Sequence, residues 1–79
     1  MKPEQCRAAR GWLEWSQEDL AKASRVSLST VRDYEKMRRV PIANNLAAMR
    51  LALENFGIEF LFDEDKASGI AYLRPKARE

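Results

Sequence analysis

The fold class this sequence predicts is mostly α: four short helices followed by a C-terminal β-hairpin. Three observations carry that expectation. Apolar residues recur at helical spacing in four successive stretches before residue 57, and the first three open on a proline or a capping serine. After Gly57 the period changes, with Ile58, Phe60 and Phe62 alternating with Glu59 and Leu61 as in a strand. The third is size: 79 residues, 46% of them hydrophobic, supply one small core and no room for a deep catalytic cleft beside it.

Taken in order, Pro3 suits a first helical turn, and Cys6, Ala9 and Leu13 form the inward spacing of helix one. Ser16 with Asp19 three residues on is a capping-box pattern that opens helix two, where Leu20, Ala21 and Ala23 are the inward candidates. Arg25 and Val26 connect to Ser27, the N-cap of helix three. There Val31, Tyr34 and Glu35 are expected inside, and Leu28, Ser29, Arg32, Asp33 and Lys36 on the opposite side. Pro41 ends the following basic corner, and Ile42, Leu46, Met49, Leu53 and Phe56 form the stripe of helix four. Gly57 stops it. A polar stretch over 63–69 reads as a hairpin loop before a second alternating run, 70–74, and 75–79 as a tail. The expected division is therefore 1–57 helical, 58–74 hairpin and 75–79 tail. Because an isolated hairpin is marginal in water, its apolar side is expected on helix four or against a second copy.

Composition removes several function classes. With one cysteine, Cys6, and no histidine, neither an intrachain disulfide nor a Cys/His zinc site can form, and histidine acid–base chemistry is absent. Cys6 reads as a small buried apolar residue, and Trp12 and Trp15 as core or lid residues. No cofactor, metal or small-molecule ligand is expected. No apolar run approaches the roughly 20 residues of a bilayer span, and the start lacks a signal-peptide pattern, so the expected compartment is the cytoplasm, with no membrane partner.

The net charge of +2 says little; its distribution says more. Lys22, Arg25, Arg32, Lys36, Arg38 and Arg39 crowd the middle of the chain, whereas Glu54, Glu59, Asp63, Glu64 and Asp65 follow without a basic residue between them. One surface suits phosphate and the other avoids it. A short helix that lies across a DNA backbone, then a second that enters the major groove, would use these residues directly.

The stretch "SQEDLAKASRVSLSTVRDYEKMRRVP" resembles the helix-turn-helix of the Cro and phage-repressor family, the xenobiotic-response-element type, with the likeness running over about residues 7–53. The resemblance implies a lambda-repressor-like fold and double-stranded DNA as partner. It implies Gln17 as a phosphate contact, Leu28, Ser29, Arg32 and Asp33 as base readers, and Thr30, Lys36, Arg38 and Arg39 as backbone clamps. Ser27, which caps the reading helix, is counted with them as a backbone contact. An ion pair between Arg10 and Glu35 is also implied, as is a regulator, most simply a repressor, working as a homodimer on an inverted repeat. Ile58, Phe60, Phe62, Ile70 and Tyr72 are the dimerisation candidates. The chain departs from the family at Glu14, Arg25 and Met37, where glycine is common and the backbone turns through positive φ. Strain of roughly 1 kcal/mol at each is expected. A rival reading is a protein-interaction adaptor with Leu28 as an anchor and the strands open to edge addition. An enzyme has no nucleophile and base set to rest on.

Overall fold

The computed structural model describes residues 1–73, and the tail expected over 75–79 lies outside the described residues. Four helices, α1 (Pro3–Leu13), α2 (Gln17–Ser24), α3 (Leu28–Glu35) and α4 (Ala43–Asn55), precede an antiparallel pair, β1 (Ile58–Asp63) and β2 (Lys66–Tyr72). The fold is the mostly helical one expected, with its hairpin.

Each helix boundary has a local cause. Ser16 Oγ accepts from the Asp19 amide and the Asp19 carboxylate accepts from the Ser16 amide, both at 2.9 Å, a closed capping box. Ser27 Oγ accepts from the Thr30 amide at 3.1 Å to open α3. The first three helices end alike: Glu14, Arg25 and Met37 adopt left-handed φ of 58°, 59° and 60°. Around each the next amide reaches back to the carbonyl five residues earlier, Trp15 to Arg10, Val26 to Ala21 and Arg38 to Asp33. These are Schellman closures made without glycine, at the three positions singled out for strain.

Cys6 and Ala9 of α1, Leu20 and Ala21 of α2, Val26, Val31 and Tyr34, Met49 and Leu53 of α4, and Ile58 of β1 make one core. Two expectations need correction. Ala23 is exposed, and Ser24 takes the inward place, its hydroxyl donating to the Leu20 carbonyl at 2.7 Å so that burial leaves no polar atom unpaired. At the ends of the α4 stripe, Ile42 and Phe56 are also exposed.

The hairpin is tighter than the sequence suggests. Only Glu64 and Asp65 turn the chain, and β2 begins at Lys66 within the stretch read as loop. That stretch is a strand without the usual strand residues because small side chains, Ala67 and Gly69, lie where β2 passes α1 beside Glu4, Gln5 and Ala8. The register slips where Leu61 pairs with Gly69 and Phe62 with Ala67, which leaves Ser68 of β2 as a bulge beside Gly69, whose φ of 149° favours glycine. The buried Gln5 amide closes the defect by donating to the Leu61 and Gly69 carbonyls at 2.8 and 2.9 Å. Its oxygen accepts from the Lys2 amide at the start of α1. The hairpin thus rests on α1 through β2 and on α4 through β1.

Candidate nucleic-acid interface

The α2–α3 pair is held from behind by a single carboxylate. Glu35, at the last position of α3, is 3% exposed, and both its oxygens are filled. Arg10 donates Nε to Oε2 and Nη2 to Oε1, each at 2.7 Å, a bidentate pair. Cys6 Sγ donates to Oε2 at 3.1 Å and Gln17 Nε2 to Oε1 at 3.0 Å. Arg7 reaches the Glu35 carbonyl, and Arg10 Nη1 the Trp15 carbonyl, so α1, the α1–α2 turn, the start of α2 and the end of α3 meet at one point. Burial pushes the Glu35 carboxyl upward, but the hydrogen bonds from Arg10, Gln17 and Cys6 outweigh it and hold the group below its ordinary value. Burial, reinforced by the neighbouring carboxylate, pushes the Cys6 thiol up and keeps it a protonated donor.

On the other side of α3 the residues face outward. Ser29, Arg32 and Lys36 are exposed and Asp33 is half-buried, opposite Val31, Tyr34 and Glu35. The first turn carries no acidic residue. Ser27 donates to Thr30 Oγ1 at 2.8 Å and lies 3.3 Å from Ser29 Oγ, so the hydroxyls expected near DNA form one cluster at the tip of the helix. Arg38 and Arg39 are exposed directly beyond α3, and the Schellman closure fixes the backbone from which Arg38 projects. Among the described residues none of Arg32, Lys36, Arg38 and Arg39 enters an ion pair, which leaves their charge uncompensated at this end of the molecule.

Leu28, Gln17 and the residues named for dimerisation have environments the sequence did not disclose. Leu28 is half-buried against the core, since a side chain at the first helical position leans back over the preceding connection. Gln17 already spends one amide N–H on Glu35, leaving the other and the carbonyl oxygen outward. Of the residues named for dimerisation, Ile58 is buried and Phe60 and Ile70 are half-buried against the chain's own core, whereas Phe62 and Tyr72 are exposed. Tyr72 instead meets Trp12, ring centroids 5.8 Å apart, and Trp15 meets Phe56 edge-on at 4.8 Å. Trp12 is 61% exposed and Tyr72 42%, so this ring pair, not foreseen from the sequence, presents apolar surface at the hairpin's open end.

The helix-turn-helix family profile, of the Cro and lambda-repressor type, matches residues 7–54, more than half the chain. The chain belongs to this helix-turn-helix family. No curated protein matches it. As a member of the helix-turn-helix family it carries a DNA-binding domain of the kind found in transcription regulators, a family not typically enzymatic. In this helix-turn-helix, α2 and α3 are the pair and Ser29, Arg32, Asp33 and Lys36 lie on its outward flank. Among the described residues no helix is long and apolar enough to cross a membrane.

Proposed function

We propose that the chain is a transcriptional repressor that binds a short inverted-repeat operator as a homodimer, in the cytoplasm of a bacterium or as a phage-type regulator. The observation that carries this reading is the division of α3. One flank is locked to the core through Val31, Tyr34 and Glu35, and the other offers Ser29, Arg32 and Asp33 to solvent between uncompensated basic residues. Arg32 reads a guanine edge, Asp33 accepts from a cytosine amino group, and Ser29 adapts to either. Ser27 and Thr30 at the helix tip, Gln17 through its remaining N–H, and Lys36, Arg38 and Arg39 hold phosphates and set the register. Leu28, half-buried, contributes its outward edge to a thymine methyl.

The length of the reading helix supports homodimerisation. Eight residues of α3 span only a few base pairs, and specific affinity needs two half-sites about 34 Å apart. The surface that fits a second copy is the exposed pair Trp12 and Tyr72, ring centroids 5.8 Å apart, because Phe60 and Ile70 serve the chain's own core. Leu28 packed inward also weakens the adaptor reading, which used it as an exposed anchor.

Duplex titrations at two salt concentrations test the phosphate contacts. Arg38→Ala with Arg39→Ala is expected to weaken binding to every sequence alike and to flatten the dependence on salt by about one unit of slope per lost contact. An unchanged slope removes both residues from the backbone set.

A further inference from the structure

The corner between α3 and α4 holds a cleft of about 370 Å³. Its floor is Tyr34, buried and fixed by its hydroxyl donating to the Met1 carbonyl at 2.7 Å, together with half-buried Leu46. Met37, Val40 and Pro3 form apolar walls. Met37 is 67% exposed and Val40 79%, unusual for large apolar side chains on a loop that is otherwise basic. Lys2, Arg38 and Arg39 line the same cleft, and none is in an ion pair among the described residues.

We propose that this cleft binds a small amphipathic carboxylate, a compact apolar body with one anionic head, and that its occupancy and DNA binding exclude each other. The volume lies within the range of small-molecule sites and holds on the order of a dozen non-hydrogen atoms. The apolar body covers Met37 and Val40 against the Tyr34 floor, and the head takes a guanidinium in the two-bond geometry that arginine offers a carboxylate. A bare phosphate would leave the walls unused; an uncharged hydrocarbon would leave the cations unused. The exclusion rests on the reading of Arg38 and Arg39 as phosphate clamps, since a guanidinium turned into the cleft is withdrawn from the duplex.

The test titrates sodium decanoate, below its micelle concentration, into the isotope-labelled chain without DNA and follows amide shifts. Saturable shifts confined to Tyr34, Leu46 and the loop 36–42 are expected, with decanol and acetate each binding at least about tenfold more weakly. The same loss is expected for Arg38→Ala with Arg39→Ala and for Met37→Asn with Val40→Asn, since asparagine tolerates the left-handed backbone at position 37. Shifts that never saturate, that centre on Trp12 and Tyr72, or that decanol reproduces equally would overturn the site. A second titration on duplex DNA separates the two readings. Affinity without decanoate tests DNA binding itself. Decanoate is expected to lower it for the natural chain and to leave Met37→Asn with Val40→Asn unaffected, and an equal affinity with and without decanoate in the natural chain would overturn the exclusion.

Discussion

Arg10 and Glu35 meet through two hydrogen bonds of 2.7 Å, with the carboxylate almost wholly enclosed and the guanidinium partly so. Because Gln17 and Cys6 share the same carboxylate, this contact joins the first helix to both members of the DNA-binding pair. Removing one partner strands a buried charge with its remaining donors. Arg10→Met is expected to lower unfolding stability by about 3–5 kcal/mol, read from urea denaturation. A loss under 1 kcal/mol would mean that the pair is incidental to the fold.

The same carboxylate gives the protein an acid limit. Its folded value is depressed relative to the unfolded chain, so its contribution is fully present above the unfolded glutamate value, about 4.3. It is lost as pH falls through the lower folded value. Stability measured between about pH 6 and 2 should decline below pH 5, and Glu35→Gln should remove part of that decline. A slope unchanged in the variant would assign acid sensitivity to other carboxylates.

The left-handed residues at the helix ends offer a gain in stability. Glu14→Gly keeps both Schellman hydrogen bonds and relieves the side-chain strain at φ 58°, offset in part by the greater freedom of glycine in the unfolded chain. A net gain of up to about 0.5 kcal/mol is expected in thermal melts. The same sign is expected for Met37→Gly, and destabilisation at both sites would show that these side chains make contacts worth more than the strain.

The aromatic face carries the association prediction. Trp12→Glu with Tyr72→Glu should weaken self-association by at least about tenfold in sedimentation, while a single half-site still binds weakly. A variant that stays dimeric would move the interface elsewhere.

Much of this molecule could be read from its sequence where local chemistry decides the outcome. Ser16 and Ser27 mark helix starts because a hydroxyl before an apolar period satisfies free amides, and Gly57 marks a stop. Glu35 was legible as inward because it lies one turn after Val31 and beside Tyr34, and the family resemblance supplied Arg10 as its partner. What stayed hidden depends on contacts distant in sequence. Residues 66–69 look like a loop until α1 is laid beside them, since small residues there serve the approach of a helix and not strand propensity. Gln5 has no local signature at all; its role exists only because a bulge opens 56 residues later. Phe60 and Ile70 alternate as an exposed interface strand would, and periodicity alone does not say whether an apolar side meets another copy or the parent core.

The most direct test of the central claim, that outward-facing α3 residues of a paired protein read DNA, is selection of bound sequences from a random duplex pool. Enrichment of an inverted repeat with half-sites one helical turn apart is expected, with relaxed preference at one position of each half-site for Arg32→Ala. A pool left unenriched, with weak binding that disappears as salt rises, would contradict it.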